Sequence, residues 1–113
     1  KYAQKHYLDN IHRYRKYTKN YKKILKWKVI TYYSNAKFEC ACCGERGLEF
    51  LSIDHINGGG RQHRKSIGLK ADSAGHQFYQ WLIKNNFPEG YQVLCMNCNC
   101  AKQWHGRCPH EYR

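Results

Sequence analysis

Two Cys-x-x-Cys pairs constrain this chain more than any other feature. Cys40 and Cys43 form the first and Cys95 and Cys98 the second, with residues 44–94 between them. Two such knuckles supply four thiolates to one tetrahedral Zn²⁺. Gly44 directly after Cys43 lets the backbone turn tightly around a metal. Each knuckle adjoins a predicted strand, so the metal would pin a strand pair. Buried free cysteines are the alternative, and they do not explain two copies of one spacing. The total of seven cysteines is odd. An odd count argues against a closed disulfide framework and for a reducing compartment such as the cytoplasm. Cys42, Cys100 and Cys108 are left over. With His110 they offer donors for a second site, and packing or exposed thiols are the plainer account.

A chain of 113 residues is one domain at most. A body this small buries little apolar area, so a metal staple is expected. Charge divides the chain in two. Of its 20 basic residues, eleven lie in 1–37 beside a single acid, Asp9, and nine lie in 38–113 beside seven acids. The first segment therefore carries +10 and the rest only +2. A basic arm of 37 residues on a nearly neutral domain favours a polyanionic partner.

Residues 3–34 contain no Gly and no Pro, and large side chains recur at Tyr7, Ile11, Tyr14, Tyr17, Tyr21, Ile24, Leu25, Trp27, Val29 and Tyr32. Most fit helical spacing, which predicts one long basic helix or two shorter ones. A solvated helix packed lightly on the domain is the plain reading. The functional one is a helix along a phosphate backbone, gripping through Arg13, Arg15, Lys16, Lys22 and Lys23.

Residues 39–47 read as a compact turn and 48–54 as a strand. Residues 57–75 open with Asn57-Gly58-Gly59-Gly60 and read as a long, basic loop. A short helix is expected from His76 to Asn86, a strand over Tyr91–Cys95 and a closing helix over 97–106. No apolar run approaches the ~20 residues a membrane span needs, and no signal-peptide pattern is present. Secreted and membrane readings fall away.

Ile53-Asp54-His55-Ile56-Asn57-Gly58-Gly59 lies between the knuckles, and Asn99-Cys100-Ala101-Lys102 follows the second. Together with Cys-x-x-Cys-Gly and Leu-Cys-x-x-Cys-Asn, this arrangement over Glu39–Asn99 resembles the HNH nucleases of phage and homing type. The resemblance implies an α+β domain, 38–113, built on a ββα-metal finger with a four-cysteine zinc site and preceded by the helical arm. It implies a metal-dependent endonuclease acting on DNA, with RNA as the other possible substrate. It implies 5′-phosphate and 3′-hydroxyl products, and a phage-encoded protein in host cytoplasm. A lone site of this kind cuts one strand, so a monomer would nick, and a weak dimer would cut both. Many members place an Asn shortly before the third zinc cysteine to brace the base. Here that stretch is Glu89-Gly90-Tyr91-Gln92, so bracing is expected from Asn57 or a backbone carbonyl.

The chemistry follows from the residue types. Phosphodiester hydrolysis needs a base for water, positive charge for the leaving oxygen and groups that neutralise the phosphate. His55 is the expected base, because imidazole titrates near neutrality. Asp54 and Asn99 offer hard oxygens for a catalytic Mg²⁺ or Mn²⁺. Arg61, His63, Arg64, Lys65 and Lys102 are expected on phosphate. Neighbours on a regular strand point to opposite faces, so Asp54 and His55 share one site only if the strand ends or bulges there. The competing reading is a non-catalytic, zinc-stapled nucleic-acid-binding protein, alone or inside a larger RNA–protein assembly.

Overall fold

In the computed structural model, residues 2–69 and 75–112 are described, with side chains from Thr18 onward. The basic segment is one continuous helix, α1 (Tyr2–Tyr33). Its last turns are not an appendage. Leu25, Val29 and Ile30 are buried in the core, while Ile24, Trp27 and Tyr32 stay half exposed. The arm and the domain therefore share a core from Leu25 on, ahead of the boundary at residue 37 suggested by charge.

After a 3₁₀ turn over Leu48–Phe50 come β1 (Leu51–His55), α2 (Gly60–Ser66), α3 (Gly75–Lys84), β2 (Tyr91–Cys95) and α4 (Met96–His105). A second 3₁₀ turn covers Pro109–Tyr112. The described residues are thus a small α+β fold with a two-stranded antiparallel sheet. The expected long loop over 57–75 holds α2. Gly58 and Gly59 take positive φ of 74° and 79°, which completes the turn out of β1 before the basic run coils. Residues 70–74 of that stretch lie outside the described residues.

Three helices end in the same way. At α1, Asn35 takes φ 53°, Asn35 N–H donates to Tyr32 O and Ala36 N–H to Thr31 O. Asn86 does the same after α3, with Phe87 N–H donating to Leu82 O, and Gly68 after α2, with Leu69 N–H donating to Arg64 O. This paired closure satisfies the last carbonyls and needs a left-handed residue, which Asn and Gly adopt at least cost. α4 runs into Gly106 at φ 81°.

Register fixes the two faces of the sheet. Leu51 lies opposite Cys95, Ile53 opposite Val93, Asp54 opposite Gln92 and His55 opposite Tyr91. Leu51, Ile53 and Val93 are buried with Val29, Ile30, Phe78 and Leu82 in one core. Ser52 and Asp54 point the other way, toward α4. A sheet packed on both faces explains why Asp54 is buried at 5% exposure.

Candidate functional site

The knuckles meet where β2 passes into α4. Cys40 N–H donates to Glu45 O and Gly44 N–H to Cys40 O, closing the first turn, with Gly44 at φ 82°. Ala41 N–H donates to Val93 O and ties that turn to β2. Cys95 caps α4 and its sulfur accepts from Cys98 N–H at 3.4 Å. The donor atoms of Cys40, Cys43, Cys95 and Cys98 all lie within 4.8 Å of one another. Cys43 Sγ and Cys95 Sγ are 3.7 Å apart. Four ligands at about 2.3 Å around one tetrahedral ion stand roughly 3.8 Å apart, so the spacing fits a single metal. These four cysteines can hold a structural metal ion.

The thiols themselves favour a cation. Burial pushes the Cys40 thiol up, but the N–H groups of Cys43, Cys95 and Cys42 outweigh this and bring it down to about 7. Cys98 is driven far above the ordinary thiol range by burial and then by the thiols around it, Cys95 first. Crowded thiols resist ionising together, and a divalent cation removes that penalty.

The second feature is a cleft of about 990 Å³ around the end of β1. Asp54 and His55 line it from β1, Arg61, Arg64 and Lys65 from α2, and Asn99 and Lys102 from α4. β1 ends at His55, as a shared site requires, and it does so without a bulge, since Asp54 and His55 both pair in register. Their side chains leave opposite faces of the sheet and reach the cleft from its two sides.

On the α4 side, Asp54 Oδ2 accepts from Lys102 Nζ at 2.6 Å and from Gln92 Nε2 at 2.9 Å. Lys102 Nζ also donates to His55 O at 3.0 Å and to Ile56 O at 2.8 Å. Lys102 is therefore held inside by three oxygens, where a free phosphate grip was expected. The reason is geometric: its stem runs along α4 toward the open strand end, whose last carbonyls need donors. Asn99 Nδ2 donates to Ser52 Oγ at 3.1 Å, and Asn99 Oδ1 accepts from Gln103 Nε2 at 3.2 Å.

On the other side, the His55 ring stacks on Phe78, with centroids 5.2 Å apart, and meets Tyr91 edge-on. His55 Nε2 and His63 Nδ1 are 3.1 Å apart. His63 is thus the brace of His55, in place of Asn57 or a backbone carbonyl. It packs against Trp81 and does not line the cleft, contrary to its expected place on phosphate. α2 brings it there by coiling the basic run. Burial first, then the charges of His63 and Arg64, lower His55 to about 4. The ring is neutral at pH 7. A Cβ on Gly60 would stand 3.1 Å from His55 Nδ1, a tight contact that would press on the ring, so a glycine suits the start of α2 here.

Arg64 lies over the Phe78 ring at 5.6 Å. Its Nε is buried and makes no hydrogen bond among the described residues. Such an N–H is costly to leave unpaired, and Arg64 is one of the residues lining the cleft. Lys22 and Lys23 are exposed on α1. The side chains of Arg13, Arg15 and Lys16 lie outside the described residues. Gln92 and Ser52 were missed as site residues, and His63 was named for phosphate rather than as the partner of His55. Register gave a usable signal for Gln92, because a strand pair anchored at Cys95 sets it opposite Asp54.

No protein-family model, curated protein or solved structure matches this chain.

Proposed function

We propose that the chain is a metal-dependent endonuclease of the HNH type that hydrolyses DNA phosphodiester bonds, with a structural Zn²⁺ on Cys40, Cys43, Cys95 and Cys98. One observation carries the reading: the cleft sets a neutral, braced imidazole beside a carboxylate and a bank of cations, one of them with an unpaired buried N–H. Arg61, Arg64 and Lys65 neutralise the phosphate. His55 takes the proton of the attacking water, and its hydrogen bond with His63 holds the ring in place. A base lowered to about 4 is weak in the free protein. A phosphate dianion or diester bound nearby raises it toward the working range.

The α4 side holds hard oxygen donors in Asp54 and Asn99, which suit Mg²⁺ or Mn²⁺. Such an ion would supply positive charge at the departing oxygen. Asp54 Oδ2 already accepts from Lys102 and Gln92, so an ion held there would share the carboxylate with the Lys102 ammonium. No helix among the described residues is long and apolar enough to cross a membrane.

The Lys102–Asp54 pair favours a second reading, a nucleic-acid-binding protein without turnover. There Lys102 neutralises Asp54 for good, and the basic cleft and α1 hold the backbone.

Supercoiled plasmid incubated with zinc-loaded protein separates the two. The nuclease reading expects conversion to open circle that requires Mg²⁺ or Mn²⁺. His55→Ala should slow it by roughly 10²–10⁴-fold, the usual worth of a general base. Tight binding with no conversion under either ion supports the second reading, and conversion at the wild-type rate by His55→Ala removes the role given to His55.

A further inference from the structure

The remaining cysteines do not scatter. Cys42 Sγ, Cys98 Sγ, Cys108 Sγ and a His110 nitrogen form a second group of donors, all within 4.8 Å of one another. His110 Nδ1 stands 3.7 Å from Cys42 Sγ, 3.5 Å from Cys98 Sγ and 3.2 Å from Cys108 Sγ. Around one tetrahedral Zn²⁺, with sulfur at about 2.3 Å and nitrogen at about 2.05 Å, a sulfur and a nitrogen ligand stand roughly 3.6 Å apart. One imidazole nitrogen facing three thiols at about that spacing is the ligand edge of a Cys₃His site. Cys100, the donor that sequence alone offered for such a site, is exposed and belongs to neither group.

Several local features build this second group. Gly106 at φ 81° ends α4 and lets the chain fold back. The 3₁₀ turn after Pro109 is closed by Glu111 N–H donating to Cys108 O, which sets His110 beside Cys108. Arg107 lies over the Tyr112 ring at 4.4 Å and fastens the same tail. Cys108 is buried at 3% exposure although it lies five residues from the end of the sequence given.

Cys98 belongs to both groups. We infer that this chain binds two zinc ions that share the Cys98 thiolate as a bridging ligand, the first completed by Cys40, Cys43 and Cys95 and the second by Cys42, Cys108 and His110. Each ion then has four ligands. Every thiol that binds gives its proton to solvent, and His110 binds as neutral imidazole through Nδ1, so no oxidant or reductant is involved. The second ion staples the C-terminal turn to the first knuckle, because Cys42 lies between Cys40 and Cys43. The inference rests on the four-cysteine zinc site proposed above, with which it shares Cys98.

The test is zinc stoichiometry of the whole chain, purified under reducing conditions, by native mass spectrometry and elemental analysis. Two zinc ions per chain are expected in the wild type and in Cys100→Ser. One is expected in His110→Ala and in Cys108→Ser. His110 is exposed, so its loss leaves the core intact, and a preserved circular-dichroism spectrum checks that. In protein loaded with ¹¹³Cd, two resonances coupled to each other are expected through the shared sulfur. One zinc in both wild type and His110→Ala overturns the second site and leaves the four-cysteine site standing. No zinc in any form overturns both. Two zinc ions without cadmium–cadmium coupling overturn the bridge, and a Cys42–Cys108 disulfide, seen as a mass lower by two hydrogens, overturns the second site.

Discussion

His55 carries three constraints on one ring. It stacks on Phe78, shares a hydrogen with His63 and sits under Gly60. Burial of the ring first, then the charges of His63 and Arg64, disfavour a second proton and lower it to about 4, against about 6.5 in an unfolded chain. Between those values the unfolded chain binds more protons than the folded one. Stability from this group is therefore complete above about pH 6.5 and is lost as pH falls toward 4. Thiol protonation acts in the same direction, so the comparison must be with a variant. Urea unfolding at pH 7 and pH 5 should show a larger drop in midpoint for wild type than for His55→Phe, which keeps the stacked ring and cannot titrate. Equal drops would mean that His55 is not held neutral. Asp54, by contrast, meets its cation inside the protein, and that Lys102 pair is the feature by which the two functional readings differ most.

Among the elements, α1 is the one whose part in the fold differs from its composition. Charge marks it as an arm, yet Val29 and Ile30 are fully buried and Tyr33 Oη donates to Pro88 O at 2.7 Å. Deleting a buried aliphatic side chain costs about 2–5 kcal/mol. Ile30→Ala and Leu82→Ala should each lose that much in denaturant unfolding. Ile24→Ala, half exposed on the same helix, should lose under about 1 kcal/mol. An Ile30→Ala protein as stable as wild type would mean that the helix end is only laid on the domain. Most elements were legible in the residues. The strand at Tyr91–Cys95 and the helices around 76–86 and 97–106 came out within two residues of their observed bounds, because apolar spacing and Asn, Pro or Gly stops mark them locally. α2 was not legible. Its seven polar and basic residues carry no apolar period, and it coils because Gly58 and Gly59 aim the chain and His63 finds Trp81 and His55.

For the molecule as a whole, the cysteine cluster and the core are one object. Cys40, Cys95, Cys98 and Cys108 are buried among the same apolar side chains that join the helices to the sheet. A structural zinc contributes about 10–16 kcal/mol of apparent binding free energy, which matches or exceeds the ~5–15 kcal/mol net stability of a whole domain. Chelation at pH 7 should therefore abolish the cooperative thermal transition and change Trp fluorescence, and added Zn²⁺ should restore both. A transition that survives with zinc fully removed would show that the apolar core suffices.

The residue order alone marked each Cys-x-x-Cys knuckle, the two strands, the helix after the second knuckle and the basic segment, since each depends on spacing within a short window; Asp54, His55 and Asn99 were set together only by the resemblance. The partners came only from folding. Lys102 reaches Asp54 across 48 positions, Gln92 reaches it across 38, and His110 meets Cys42 across 68. The parting of Asp54 and His55 to opposite faces, and the place of Cys98 between two donor groups, likewise depend on which surfaces α2, α4 and the C-terminal turn bury. No local period encodes such contacts. They exist because packing α1, α3 and α4 with the sheet around so small a core leaves few other places for those side chains to go.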